Sequence, residues 1–266
     1  MIEDRHIIAE ALIPAMRAAG QAIMDVRDKD VSLKTDGSPV TQADRAAEEI
    51  LLEALACHAP SIPVISEENA ASHHLPVAPD YFLVDPLDGT KEFIKDDHSG
   101  AFTVNIGLIS QGQPVMGLVY APVFETLYYG VVGQGAYHCV AGGETRPLQT
   151  SSAKMKAEDI VAMASASHRD EATNAWLARY QIGTTKAVGS SLKFCLIAAG
   201  QADLYPRFGP TMEWDSAAGD AILRAAGGVT CFEDGTLFHY GKRGYRNGPF
   251  FAYRHPLLQQ QLAALS

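Results

Sequence analysis

The segment Asp85-Pro86-Leu87-Asp88-Gly89-Thr90 carries the sharpest chemical signal in the chain. The apolar run 81–84 before it places Asp85 at the end of a strand. Pro86 has no N–H to give, so the strand is expected not to continue as a paired central one. Asp88-Gly89-Thr90 then reads as the entry to a short helix through Phe93 and Ile94. Two carboxylates three residues apart at such a corner can face one point, with the Leu87 carbonyl exposed between them. These are hard oxygen donors of the kind Mg2+ prefers. The free N–H groups of Gly89 and Thr90 would face a phosphate in front of the helix. Asp, Gly and Thr are also ordinary turn residues, so a capped turn stands beside the metal site as an alternative.

Four further segments could join that corner. Ser66-Glu67-Glu68 also follows an apolar strand. One Glu could ligate a metal while its neighbour holds an attacking water, or both could belong to a solvated acidic loop. In Glu213-Trp214-Asp215, the last residue opens an apolar helix; it reads as an N-cap whose second oxygen could turn to a metal. Thr41 and Asp44 fit a capping box. Asp44 could also pair with Thr90, so that the hydroxyl takes a proton from a water at the metal. Ser190, Ser191 and Lys193, within Gly189-Ser190-Ser191-Leu192-Lys193-Phe194-Cys195, lie at a helix start. They could hold a second phosphate by dipole, hydroxyl and ammonium, or merely cap a surface helix. Haloacid-dehalogenase-type phosphatases also end a strand in an acidic D-x-D-G-T nucleophile segment. Two residues separate the aspartates here, not one, and a long helical pair precedes them, which argues against that chemistry.

The elements that must position these residues follow from periodicity. Ile8, Leu12, Ala15, Ala19 and Ile23 share one face of a long first helix. A polar turn at 34–39 precedes a second helix opened by Thr41, with Ala47, Ile50, Leu51, Ala54 and Leu55 on its face. Strand texture follows at 62–65, 81–84, 103–109, 114–120, 126–132 and 136–140, mostly as an antiparallel meander. Beyond 150, strands at 160–164, 181–188 and 202–205 alternate with helices at 171–180, 190–199 and 215–226. An α+β half, 1–148, followed by an α/β half, 149–266, suggests two packed layered domains.

The chain has 266 residues, 47% of them apolar, and a formal charge of −10. That charge argues against binding a nucleic-acid polymer, which needs a basic face. A small phosphorylated ligand is compatible with it when metal ions neutralise carboxylates and phosphate together. No uninterrupted apolar run approaches the roughly 18 residues of a bilayer span, and no secretory leader is evident at the N-terminus. Cys57, Cys139, Cys195 and Cys231 have no C-x-x-C spacing and sit in apolar surroundings, so buried free thiols in a reducing cytoplasm are expected.

The order of the motifs (E-E, then D-P-L-D-G-T, then W-D) resembles the inositol monophosphatase superfamily over nearly the whole chain. Ser38-Pro39-Val40-Thr41, DPLDGTKEF from Asp85 to Phe93, Phe102-Thr103-Val104-Asn105-Ile106, GSSLKFC from Gly189 to Cys195, and Leu204-Tyr205-Pro206-Arg207-Phe208-Gly209-Pro210 resemble its CysQ-type 3'(2'),5'-bisphosphate nucleotidases. The resemblance implies an αβαβα sandwich of the sugar-phosphatase type. It implies Glu67, Asp85, the Leu87 carbonyl, Asp88 and Asp215 as ligands of two or three Mg2+ ions. Asp44 and Thr90 become the water-activating pair, with Glu68 beside the nucleophile. Gly89, Thr90, Ser190, Ser191, Lys193, Arg207 and Asp215 become substrate contacts. The implied substrate is 3'-phosphoadenosine 5'-phosphate, with an inositol 1-phosphate or sugar-bisphosphate phosphatase on the same centre as the alternative. Lithium inhibition, a role in sulfur metabolism and a cytoplasmic setting follow by the same route. A homodimer and a location at the inner face of the membrane are options it leaves open. Glu213 departs from the pattern, which usually has an apolar or small residue before the Trp.

Overall fold

Helices α1 (Arg5–Asp25) and α2 (Gln42–His58) lie together over one face of a sheet. The computed structural model describes every residue except 1–4, 27–31, 34–38, 77, 96–100, 142, 154–155, 166–169 and 265–266. The polar turn expected at 34–39 therefore lies largely outside the described residues. Ala9, Leu12, Met16, Ala19 and Ile23 of α1, and Ala43, Ala47, Leu51 and Leu55 of α2, are buried against Phe82, Val84, Ile106 and Leu118. Ile8, Ala15, Ile50 and Ala54 are only partly covered, because they flank this stripe rather than lie on it. By length and composition alone α1 could cross a bilayer, yet its apolar stripe is spent on the sheet.

Between the two helices β1 (Ser32–Leu33) pairs with β2 (Pro39–Val40). The large sheet then runs in spatial order through β3 (Val64–Ser66), β4 (Asp80–Asp88), β5 (Thr103–Ser110), β6 (Gln113–Ala121), β7 (Thr126–Val131), β8 (Gly135–Val140) and β9 (Arg146–Leu148). Only the β3–β4 pair is parallel, so the expected meander is present. Pro86 does not end pairing as expected. The register passes from Asp85↔Asn105 to Asp88↔Thr103, three steps on β4 against two on β5. A bulge of one residue absorbs the missing N–H. It also decides the chemistry: residues i and i+3 of a regular strand point to opposite faces, and the extra residue returns Asp88 to the side of Asp85.

A short helix, α3 (Thr90–Lys95), leaves the end of β4. The second half continues with β10 (Val161–Ser165), α4 (Glu171–Arg179), β11 (Thr184–Val188), α5 (Leu192–Ala198), β12 (Leu204–Arg207), β13 (Thr211–Met212) and α6 (Trp214–Ala225). It closes with β14 (Val229–Cys231), β15 (Arg246–Asn247), β16 (Phe250–Tyr253) and α7 (Pro256–Ala263). A second sheet orders its strands β11-β10-β12-β16-β14, parallel through β12 and antiparallel at β16 and β14.

Helices α5 and α6 fill the space between the sheets. Phe194, Ala217 and Ile222 share one core with Leu83 and Val119 of the first sheet and with Tyr205, Phe250 and Ala252 of the second. On the far side Leu177 of α4 and Leu258 and Leu262 of α7 cover Ile160, Leu204 and Phe251. The layers are thus αβαβα. A Cβ on Gly117 would lie 2.1 Å from the Ala218 carbonyl oxygen, so the absence of a side chain there lets α6 rest directly on the strands. That contact fixes the start of α6, and with it Asp215.

Candidate metal centre and substrate cavity

A cavity of about 900 Å3 opens where β4 ends and where α5 and α6 begin. Carboxylate oxygens of Glu67, Asp85 and Asp215 lie within 4.8 Å of one another on its wall. Each comes from a different element and is held there by the backbone. Glu67 follows β3, and its N–H donates to Val84 O at 3.0 Å. The preceding Ser66 is tied by its hydroxyl to Glu48 of α2, while His73 Nε2 lies 2.8 Å from its carbonyl oxygen. Asp85 sits in the bulge and accepts Leu87 N–H at 3.0 Å. Asp215 is not an N-cap, because α6 starts one residue earlier, at Trp214. Its Oδ2 instead accepts Met212 N–H at 2.8 Å. Trp214 is buried and stacks on His73 at 4.9 Å. Asp88 stands beside these three and accepts the Ser191 N–H at 2.6 Å.

This concentration of acids is electrostatically costly without a counter-ion. Burial, opposed by Lys193 and the Ser191 N–H but reinforced by Glu67 and Glu92, raises Asp88 to about 7. Asp215 is raised well above its usual range by burial, then by Asp88 and Glu67. Hard oxygen donors converging from three elements, with too few cations to neutralise them, fit a divalent cation well. They fit an empty polar pocket poorly.

A pH dependence of stability follows. Asp88 rises from an ordinary value near 4 to about 7, so the metal-free fold holds more protons than the unfolded chain in that window. Its contribution is fully present below about pH 4 and is lost as pH climbs through about 7. The rise in Tm on adding Mg2+ should therefore be larger at pH 8 than at pH 5.5, where protons compete for the same oxygens. Thermal scans with and without Mg2+ check this; a Tm shift independent of pH would contradict it.

Asp44 fills the two positions its spacing suggests. Oδ2 accepts the Thr41 N–H at 2.8 Å, closing the capping box of α2, and Oδ1 faces the Thr90 hydroxyl at 3.3 Å. The Thr90 hydroxyl also reaches Leu87 O at 3.1 Å. Gly89 holds φ +97°, and a Cβ there would meet the Ala101 carbonyl oxygen at 2.8 Å. The turn that aims Thr90 therefore requires glycine. Glu68 is half-buried next to Glu67 and does not line the cavity.

Ser190, Lys193 and Arg207 line the same cavity. Ser190 has φ +52°, so α5 starts two residues later than its periodicity suggests. Ser191 points elsewhere: its hydroxyl donates to Asn105 Oδ1 at 2.5 Å and lies 3.0 Å from Thr103 Oγ1, tying α5 to β5. Burial lowers Lys193 to about 8, against the pull of Asp88; its ammonium bonds Ser190 O and lies 5.1 Å over the Tyr205 ring. Arg207 donates to Gly209 O and Pro210 O. Glu213 is fully buried and lies off the cavity, where its carboxylate accepts the N–H groups of Gly241 and Lys242 and pairs with Lys242 Nζ at 2.8 Å. Glu92, Asp170, Tyr205 and Arg246 also line the cavity. Of these, only Glu92 and Tyr205 lie in segments that carry the family resemblance, and neither was named there as a site residue. Cys57 is exposed and Cys139 half-buried, while Cys195 and Cys231 are buried; all four thiols are free. The expectation of four buried thiols thus holds at Cys195 and Cys231, is met only in part at Cys139, and fails at Cys57 on the outer face of α2.

Known proteins resemble this chain in sequence and in fold. The profile of the inositol monophosphatase family matches residues 4–266. The 3'(2'),5'-bisphosphate nucleotidase CysQ of Salmonella typhimurium is 44% identical over 248 residues, 91% of this chain and 97% of that protein. The crystal structure of CysQ from Bacteroides thetaiotaomicron, described as a bacterial member of the inositol monophosphatase family, superposes with TM-score 0.76 at 37% identity, covering 92% of this chain and 96% of that one. An inositol monophosphatase from Anabaena superposes at 0.77 with 25% identity, over 98% and 95% of the two chains. The chain therefore belongs to the inositol monophosphatase family, among its CysQ-type members.

Proposed function

We propose that this chain hydrolyses the 3'-phosphate of 3'-phosphoadenosine 5'-phosphate to AMP and phosphate, using two or three Mg2+ ions. The carrying observation is the convergence of Glu67, Asp85 and Asp215 oxygens within 4.8 Å in a cavity that Lys193 and Arg207 also line. The similarity to proteins named 3'(2'),5'-bisphosphate nucleotidase supports the substrate. Glu67, Asp85, Asp215, Asp88 and the Leu87 carbonyl would hold the ions. When bound, such ions polarise phosphoryl oxygens, lower the pKa of water and stabilise a leaving oxygen.

The chain's own groups do the rest. The Thr90 hydroxyl lies on the cavity wall with an acceptor in Asp44, so it can give its proton to Asp44 and offer a lone pair to a water in the cavity. In that orientation Thr90 takes a proton from the attacking water while passing its own to Asp44. The water oxygen bonds phosphorus in line as the bond to the 3' oxygen breaks, and that oxygen takes a proton from solvent. No covalent enzyme intermediate is involved. Gly89 borders the reacting phosphate and Ser190 the one that is kept, while Glu68 supports the loop of Glu67. Ser191 acts through its bond to Asp88, and Lys193 with Arg207 holds the phosphate that is kept. Residues 1–148 supply most of the metal wall and 149–266 most of the substrate wall. Free thiols support a reducing, cytoplasmic setting.

Product identification tests the direction of cleavage. Incubation of 3'-phosphoadenosine 5'-phosphate with Mg2+ should yield 5'-AMP. Accumulation of adenosine 3'-phosphate would show that the substrate sits the other way round, and would overturn the assignment of Lys193 and Arg207.

A further inference from the structure

Six carboxylates line the cavity (Glu67, Asp85, Asp88, Glu92, Asp170 and Asp215) against the four cations Lys91, Lys193, Arg207 and Arg246. A ligand carrying two phosphates must find positive charge away from the metal wall, and three of the four cations are already engaged. Lys193 is buried and bonds the carbonyls of Ser190 and Val188. Arg207 is buried and spends donors on Gly209 and Pro210. Lys91 has an intramolecular partner as well. Arg246 is the lining cation whose side chain has no partner among the described residues, and it is exposed.

Its placement is not accidental to the fold. Arg246 and Asn247 form β15, paired antiparallel with β13 as Met212↔Arg246 and Thr211↔Asn247. Directly opposed residues of an antiparallel pair share a face, so the two pairs point opposite ways. The Asn247 face turns inward: its amide donates to Thr211 Oγ1 at 3.0 Å, Met212 O at 2.8 Å and Ser216 Oγ at 3.0 Å, fastening the bridge to α6. The other face carries Met212 and Arg246, which line the cavity as Thr211 and Ser216 do, and the Met212 N–H holds the carboxylate of Asp215. Glu213 pins the loop before β15 through Gly241 and Lys242. The stem of Arg246 is thus anchored beside a metal-facing carboxylate while its guanidinium stays free in the mouth.

We propose that Arg246 is a specificity-determining residue: its guanidinium closes on the retained phosphate of a nucleoside bisphosphate, completing from the rim a subsite that Lys193 and Arg207 build from the floor. A planar fork of N–H donors suits a phosphate better than an ammonium does. This rests on the bisphosphate reading above.

The test compares wild type, Arg246→Gln and Arg246→Lys on 3'-phosphoadenosine 5'-phosphate and on adenosine 3'-monophosphate, which has the same base and reacting phosphate without the 5' group. The ratio of kcat/KM for bisphosphate over monophosphate should fall about ten- to a hundredfold in Arg246→Gln. The fall should lie in KM rather than kcat, as for an interaction equal in ground and transition states. Arg246→Lys should recover part of it. An unchanged ratio, or equal losses on both substrates as stacking on the base would give, overturns the role. If wild type itself released no phosphate from the bisphosphate, the functional reading would fall first, and the role of Arg246 with it.

Discussion

Asp88→Asn is expected to lower kcat/KM by at least about a thousandfold while the metal-free fold loses no stability. The two effects separate because Asp88 does two things. Its Oδ2 accepts the Ser191 N–H at 2.6 Å, and an amide oxygen can accept the same bond. Its charge, however, is what a cation in the cavity would meet, and that charge is disfavoured by burial and by Glu67 and Glu92 when no cation is there. An amide removes the repulsion along with the ligand. Metal-free Tm at pH 8 should therefore hold or rise, and the Mg2+-induced increment should shrink. A variant that keeps wild-type turnover would refute the metal assignment. One that loses activity by unfolding would show that Asp88 is chiefly structural.

Thr90→Ala should reduce kcat by roughly a hundred- to ten-thousandfold, the usual weight of a positioned proton acceptor. Thr90→Ser keeps the hydroxyl and its bond to Asp44, and should retain most of the activity. Asp44→Asn should show the same kinetic loss as Thr90→Ala, with a stability cost near 1 kcal/mol because an amide still offers one acceptor to the capping box. Steady-state kinetics and thermal denaturation of the three variants separate the roles. Thr90→Ala with kcat within about tenfold of wild type would remove Thr90 from the proton path.

Much of this site is legible along the chain because its parts are local. Asp85, Asp88, Gly89 and Thr90 lie within six consecutive residues, and the Thr41–Asp44 cap is written in four. What spacing does not give is the face each side chain takes. The one-residue bulge at Pro86 puts Asp85 and Asp88 on the same side, and a bulge is a property of two strands, not one. Ser191 shows the converse error. It has a helix-start position suited to a ligand, but its hydroxyl is drawn to Asn105, 86 residues away. Elements β14, β16 and α7 leave little trace in periodicity, since strands of three and four residues buried on both faces do not alternate. Arg246 is one of three cations in the irregular stretch 241–246, and nothing in their spacing singles it out; its pairing with Met212 is what brings it to the cavity.

Phosphate release from the purified protein decides whether this chain carries out metal-dependent cleavage of a nucleoside bisphosphate. The substrates to compare are 3'-phosphoadenosine 5'-phosphate, inositol 1-phosphate and fructose 1,6-bisphosphate, each with Mg2+, without it, and with Mg2+ plus lithium. The expected result is a strong preference for the nucleotide that needs Mg2+ and is suppressed by lithium. A preference for the inositol or sugar phosphate would contradict the substrate assignment while leaving the metal centre standing, and release that is indifferent to Mg2+ would contradict both.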